Sequence, residues 1–223
     1  MSKAGPPAWL VAALLLLGTL AILAQSAYVA SDHATAPDSV ELATGGSRLV
    51  THGRYEIVIE GQGLPPRPLP WFSLLVLAPA YALLGPELGN GIFPVTLLSL
   101  LGIAAAWHLG RRLGNEWSGV IAGIGVLLLP SYLGGARLIM SDAPCCALIL
   151  VLAARYVSLA TAAAPGLAAL LGAGALAGIC GAIRPVSYAT ALPLALLALT
   201  RGPRPRRALQ LVAAGLPSLL MMG

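Results

Sequence analysis

Runs of apolar residues long enough to cross a lipid bilayer constrain this chain more than any other feature. A helix needs about 20 mostly apolar residues to cross the hydrocarbon core. Backbone groups in lipid must form their hydrogen bonds within their own segment, so each run is expected to be helical. Hydrophobic residues make up 58% of the chain and charged residues 9%, against about 45–50% and 25% in soluble domains. This excludes a soluble globular domain and a disordered chain. The expected spans are 8–28, 91–110, 117–135, 142–160, 165–183, 185–200 and 208–223.

One further apolar run, Pro68 to Gly85, decides the topology. If it crossed the membrane, the next span would carry Arg111 and Arg112 to the outer face, which the positive-inside rule opposes. We therefore expect a re-entrant or interfacial helix here. The cytoplasmic side then holds eight basic residues and one acidic residue, and the outer side holds five basic and seven acidic residues. This orientation places 31–67 outside and Arg201 to Arg207 in the cytoplasm.

These assignments predict an all-α fold, a polytopic transmembrane helical bundle whose outer first loop contains short interfacial helices. Residues 1–30 form a signal-anchor transmembrane helix, because the run from Ala8 to Ala24 is longer than the apolar region of a cleaved signal peptide. Residues 31–90 form the outer loop, with a helix over Ala36–Val50 and an extended segment from Tyr55 to Glu60. Residues 91–223 form the bundle. Its last span is short, so we expect a chain truncated at the C-terminus.

Several classes of function are excluded or disfavoured by the sequence. The 13 basic residues are scattered between apolar runs and form no basic face, so nucleic-acid binding is discarded. No Walker loop is present, and no G-x-G-x-x-G follows a strand, so no nucleotide cofactor is expected. The three cysteines lack a zinc spacing, and the histidines lack the spacing of metal ligands. We therefore expect neither a metal nor a cofactor.

The acidic residues at the outer ends of spans are the first candidates for chemistry. Asp38 and Glu41 fall in the first turn of the expected helix, where negative charge complements the helix dipole. Asp38 is therefore either a helix-start residue or a reactive carboxylate. Asp142 opens a span just before Pro144, which suits an N-cap, and it either serves only as that cap or also takes part in function.

Three arginines are expected on the same outer side. Arg184 interrupts a long apolar stretch, where an arginine is costly and usually faces a partner or a water-filled cavity. The alternative is a short loop in which its guanidinium snorkels to the surface. Together with Arg67 and Arg137 it could bind a phosphate, because guanidinium donors match phosphate oxygens. Two acids and several cations at one membrane surface indicate transfer of a group from a lipid phosphate.

A series of short motifs occurs in a recognisable order along the chain. They are Pro37-Asp38-Ser39, Gly53-Arg54-Tyr55, Pro65-Pro66-Arg67-Pro68-Leu69-Pro70-Trp71, Leu84-Gly85, Leu109-Gly110-Arg111-Arg112-Leu113-Gly114, Ala136-Arg137, Asp142-Ala143-Pro144 and Gly178 to Pro185. This order resembles the N-terminal half of polyprenyl-phosphate-sugar-dependent glycosyltransferases of the C-type membrane fold, which include the protein O-mannosyltransferases and the lipid A aminoarabinose transferase.

The resemblance implies catalytic roles for Asp38, which would act on the acceptor, and for Asp142 as a second acid. It implies substrate binding by Glu41, Arg67, Arg137 and Arg184, with Arg67 near the donor phosphate. In that family a Lys or His followed by Pro-Pro-Leu is more common, whereas here Pro65-Pro66 precedes Arg67.

The function expected from this resemblance is a multi-pass glycosyltransferase of the plasma (inner) membrane. Its partners would be a polyprenyl-phosphate-linked sugar donor, membrane lipid, and an unidentified acceptor that is a glycan, a lipid or a protein. The alternative is a transporter-like protein or a non-enzymatic membrane assembly subunit. A transporter predicts charged residues near mid-span and broken helices, whereas Asp38 and Asp142 are expected at span ends.

Overall fold

The computed structural model describes residues 8–32, 36–68, 70–162 and 166–193. These residues are mostly helical, as the apolar runs predict. The helices are α1 (Ala8–Asp32), α2 (Pro37–His52), α3 (Pro70–Phe72), α4 (Ala78–Leu84), α5 (Ile92–Leu113), α6 (Glu116–Leu127), α7 (Pro130–Ala136), α8 (Asp142–Thr161) and α9 (Leu167–Ile183). A π-helical segment, Ser73–Leu77, joins α3 to α4, and 3-10 helices occupy Leu88–Gly91 and Pro185–Thr190.

Within the described residues, two helices are long and apolar enough to cross a membrane. They are Leu88–Leu113, which is the 3-10 turn together with α5, and Asp142–Thr161, which is α8. The pair α6 and α7 makes a third candidate if the two helices count as one span, although they meet at a 63° bend. Three apolar helical stretches are shorter: Trp9–Ala24, Pro70–Leu84 and Leu167–Ile183. The structure therefore supports association with a membrane, and two or three of the seven expected spans are candidate membrane-spanning helices by length and composition.

The span expected over 117–135 is not one continuous helix, because the helix breaks between α6 and α7. Pro130 is the first residue of α7, and Leu129 before it is extended, with φ −72° and ψ 112°. Proline disfavours the helical conformation in the residue that precedes it. The span expected over 185–200 also differs, since it begins with a 3-10 helix, Pro185–Thr190. Residues 194–200 and 208–223 lie outside the described residues.

The segment between α1 and α4 contains the helix that the sequence predicted, together with a small hairpin. Pro37 is at the start of α2, Asp38 is in its first turn, and Gly53 ends it with φ 68°. Strands β1 (Ile57–Ile59) and β2 (Gln62–Leu64) pair antiparallel. They turn through Glu60 and Gly61, whose φ angles of 51° and 80° suit a two-residue hairpin turn. The fold is thus not entirely α-helical.

One hydrophobic core cluster joins the segment before the first long span to the bundle. Its buried members come from α2, from the α3–α4 region, from α5 and from the ends of α8 and α9; they include Leu42, Phe72, Leu77, Val95, Cys145 and Ile183. A hydrogen bond of 3.0 Å from the Ser73 hydroxyl to the Leu42 carbonyl fixes α2 against the π-helical segment. The α2 segment is therefore packed onto the helices rather than separate from them.

Glycines allow the long helices to approach closely. A Cβ at Gly102 of α5 would lie 3.0 Å from the Ala147 Cα atom of α8. Near the C-terminal end of α5, a Cβ at Gly110 would lie 2.6 Å from the Ser118 carbonyl oxygen of α6. Small residues at such contacts are typical of helix packing in membranes. The helices α5 and α8 run side by side and parallel, because Arg112 and Arg155, which lie nearer their C-terminal ends, also line one common cavity.

Candidate functional site

The first polar cluster forms where α2 meets the segment that follows the hairpin. Asp38 and Glu41 are three residues apart on α2, so their side chains lie on neighbouring positions of one helix face. Arg67 reaches both of them from the proline-rich segment after β2. The sequence predicted a role for all three residues, and the structure brings them together.

Arg67 makes four contacts with the two carboxylates. Its backbone N–H donates to Glu41 Oε2 at 2.8 Å, and its Nε donates to Glu41 Oε1 at 2.7 Å. Its Nη2 atom lies 2.6 Å from Glu41 Oε1 and 3.1 Å from Asp38 Oδ1. The side chains of Arg67 and Asp38 are 67% and 54% exposed, whereas that of Glu41 is 15% exposed. Glu41 therefore fixes the arginine, and Asp38 keeps most of its carboxylate open.

These contacts shift the pKa values of Glu41 and Arg67. The hydrogen bond from the Arg67 side chain holds the pKa of Glu41 below its ordinary value of 4.5, although burial opposes this. The same hydrogen bond raises the pKa of Arg67, and the charges of Glu41 and Asp38 add to that effect. Glu41 and Arg67 are consequently both charged at neutral pH and form an ion pair.

Tyr55 and Gly45 support this cluster, and neither was predicted to have this role. The Tyr55 hydroxyl donates to the Pro68 carbonyl at 3.0 Å, one residue beyond Arg67. A Cβ at Gly45 would lie 2.5 Å from the Tyr55 ring, so only glycine lets the ring pack against α2 in this way. The signal that could have identified Gly45 is a Gly-Gly pair within a helix of 16 residues, because glycine in a helix interior is unfavourable without a packing reason.

The second polar cluster joins the start of α8 to the end of α9. Asp142 Oδ1 lies 2.8 Å from Arg184 Nη2, and both side chains are 40% exposed. The Arg184 Nε group donates to the Ser141 hydroxyl at 3.2 Å. Asp142 Oδ2 is buried and has no hydrogen-bond partner among the described residues. Arg184 thus has a named acidic partner, as its position in an apolar stretch predicts.

The N-cap interpretation of Asp142 is wrong. Asp142 is the first residue of α8, and Ser141 occupies the cap position without a capping hydrogen bond from its side chain. The serine hydroxyl instead accepts from Arg184, and the aspartate pairs with the same guanidinium. Ser141 was not among the predicted site residues, although it immediately precedes Asp142.

Arg137 belongs to neither ion-pair cluster. It follows α7, its side chain is exposed, and it forms no ion pair with any residue that the structure describes. A Cβ at Gly135, two residues earlier, would lie 3.5 Å from the Asp142 Cβ atom. The end of α7 therefore packs against the start of α8. Arg67 and Arg184 are each held by carboxylates, and the phosphate site expected from Arg67, Arg137 and Arg184 stays a prediction.

Both ion-pair clusters border the same hydrophobic core. Leu42 directly follows Glu41, and Ile183 directly precedes Arg184; both are buried in the core cluster that includes Phe72. Among the described residues, no three His, Cys, Asp or Glu side chains are grouped so that they could hold a metal ion. The described residues thus offer three groups for chemistry. They are the half-exposed carboxylate of Asp38, the buried Oδ2 atom of Asp142, which has no described partner, and the exposed guanidinium of Arg137, which has no described ion pair.

No family model, no curated protein and no solved structure matches this chain.

Proposed function

We propose that this protein is a multi-pass membrane glycosyltransferase that moves a sugar from a polyprenyl-phosphate donor to an acceptor at the outer face of the plasma (inner) membrane. The observation that carries the proposal is the sharing of Arg67 between Asp38 and Glu41. Fixed carboxylates and cations at the ends of apolar helices suit a donor whose sugar lies at the membrane surface. The sequence resemblance to C-type glycosyltransferases supports the same assignment.

In the proposed reaction the acceptor hydroxyl attacks the anomeric carbon of the donor sugar. The bond between that carbon and the phosphate oxygen breaks, polyprenyl phosphate leaves with the bonding electrons, and a carboxylate takes the proton of the hydroxyl. Asp38 is the proposed base, because one contact with Arg67 leaves most of its side chain exposed. A positioned general base contributes on the order of 10²–10⁴-fold to such a reaction.

Arg137 and Arg184 have the proposed role of stabilising the departing phosphate. Arg137 is exposed near the start of α8, and Arg184 is held there by Asp142. Preorganised positive groups stabilise developing negative charge because they need no rearrangement during the reaction. Asp142 holds one cation in place through its Oδ1 atom.

The alternative function is that of a transporter-like protein or an assembly subunit, and one observation favours it. The helices α6 and α7 are broken by a 63° bend, and broken helices are typical of transporter binding sites. The described acidic residues nevertheless lie at helix ends or in loops, not at mid-span. This distribution favours surface chemistry.

The experiment compares sugar transfer by the wild type, Asp38→Asn and Glu60→Gln in membranes matched for protein amount. The donors are radiolabelled hexosyl and pentosyl polyprenyl phosphates, and the membranes supply the acceptor. Glu60 is the matched control, since it is an exposed carboxylate at the hairpin turn with no described ion pair. We expect Asp38→Asn to lower turnover by about 10²–10⁴-fold with donor binding unchanged, and Glu60→Gln to retain wild-type turnover.

Two results would contradict the proposal. Wild-type turnover in Asp38→Asn would remove this residue from the mechanism. Absence of transfer by the wild-type protein from every donor, together with movement of a solute across sealed vesicles, would establish the transporter alternative.

A further inference from the structure

A cavity between three helices lies at the opposite end of α8 from Asp142. It has a volume of about 500 Å³ and opens between α5, α8 and α9. Ser158 lines it and follows Asp142 by 16 positions, which corresponds to about 24 Å along a helix. The far end of the cavity is therefore remote from Asp142, and no residue of either ion-pair cluster lines it.

Basic side chains line one part of this cavity. His108 and Arg112 are four residues apart on α5, and Arg155 comes from α8. The guanidiniums of Arg112 and Arg155 are exposed, and neither forms an ion pair with a residue in the described ranges. The C-terminal ends of α5 and α8 each contribute about half a negative charge, so two arginines leave the region positive.

Arg111, the residue before Arg112 on α5, has different surroundings. Arg111 has an acidic partner, Glu116, at 3.4 Å, and its guanidinium lies 4.7 Å from the centre of the Trp107 ring. Arg111 does not line the cavity, whereas Arg112 does. The two adjacent residues therefore differ in surroundings while sharing the same charge.

The remaining walls are apolar, and a glycine keeps the space open. Val151 and Leu176 line the cavity with the basic residues. A Cβ at Gly172 would meet no atom within 4 Å, so a side chain there would enter empty space. Cations beside apolar walls match a ligand that has an anionic head and hydrocarbon chains.

We infer that this cavity binds the phosphate headgroup of an anionic membrane lipid, with Arg112 and Arg155 contacting the phosphate and α8 and α9 contacting the acyl chains. Basic pockets between membrane helices bind such headgroups. The site would hold a structural lipid where the C-terminal ends of α5 and α8 meet. This inference depends on α5 and α8 being membrane helices and not on the glycosyltransferase proposal.

The test titrates the full protein in a neutral detergent with short-chain phosphatidylglycerol, phosphatidylcholine of the same chains, and inorganic phosphate. Binding is followed by titration calorimetry. We expect phosphatidylglycerol to bind at least tenfold more tightly than the other two probes. Since one basic residue contributes about fivefold to binding of an anionic lipid surface, Arg112→Gln should weaken binding about fivefold and Arg112→Gln with Arg155→Gln about 30-fold.

Two further variants give the control and a second line of evidence. Arg111→Gln should bind phosphatidylglycerol within twofold of the wild type, because Arg111 does not line the cavity. Gly172→Leu should weaken binding at least tenfold by filling the cavity, without removing any charge.

Four outcomes would overturn the inference. They are wild-type affinity in the double arginine variant, an equal loss in Arg111→Gln and Arg112→Gln, equal binding of phosphatidylcholine, and full affinity in a folded Gly172→Leu protein. Equal affinity for inorganic phosphate and phosphatidylglycerol would identify a free-anion site instead of a lipid site.

Discussion

Replacing Gly45 by alanine tests whether the packing of the Tyr55 ring against α2 holds the segment that carries Arg67. The added Cβ would lie 2.5 Å from Tyr55 Cε2 and 3.1 Å from Pro66 Cγ, so the Tyr55 ring must move. The ring carries the hydroxyl that donates to the Pro68 carbonyl beside Arg67. We therefore expect the substitution to displace the segment that holds the arginine.

The magnitude follows from two opposing effects. Alanine in place of glycine stabilises a helix by about 1 kcal/mol, whereas overpacking a filled contact costs about 1–3 kcal/mol. The net expectation is a destabilisation of about 1 kcal/mol, which lowers the thermal midpoint by roughly 2–4 °C for a chain of this length. In a Tyr55→Ala background the ring is absent, so the same substitution should leave the midpoint unchanged or raise it.

The assay is thermal unfolding of the full protein in detergent, followed by tryptophan fluorescence. The four proteins of this double-mutant cycle are the wild type, Gly45→Ala, Tyr55→Ala and the variant with both substitutions. Subtracting the two single-variant effects from the double-variant effect leaves the energy of the contact between residues 45 and 55. An unchanged or raised midpoint for Gly45→Ala in the wild-type background would refute the packing argument. An equal fall in both backgrounds would refute it as well.

Three other predictions concern the ion pairs and the topology. The pKa of Glu41 is held below 4.5, so its pairing with Arg67 contributes fully above pH 4.5 and is lost as the pH falls through the lowered pKa. The rate of amide hydrogen exchange in residues 62–68, corrected for intrinsic rates, should therefore rise as the wild type is acidified through the pKa of Glu41. The Glu41→Gln variant should show no such rise, and identical pH profiles for the two proteins would contradict this prediction. Replacing Asp142 by asparagine should lower the thermal midpoint, and Arg184→Gln added to it should cost less than the sum of the single effects; strictly additive losses would show that the pair is not coupled. A reporter fused after Asn90 should be outside the cell, and a cytoplasmic reporter would show that 68–85 crosses the membrane.

The sequence by itself determined the helical character of the chain and several boundaries. Apolar runs of the right length produce helices wherever lipid or a protein core is the solvent, which accounts for α5 and α8. Proline and an acidic residue in the first turn marked the start of α2, and these are local effects that need no tertiary contact. The break before Pro130 is equally local, but the apolar composition around it concealed the break because hydropathy alone does not distinguish a bent pair from one span.

Only the tertiary structure decided which charged residues meet. Arg67 pairs with Glu41 across 26 positions, and Arg184 contacts Ser141 across 43. The sequence identified Arg184 as a candidate because an arginine is costly in an apolar stretch, and Asp38 and Asp142 because they lie at the outer ends of expected spans. It could not assign the partners, and Arg137 has no ion-pair partner among the described residues. Pairing depends on how helices pack around Leu42, Phe72 and Ile183, and such packing arises from shape complementarity between segments that are distant along the chain.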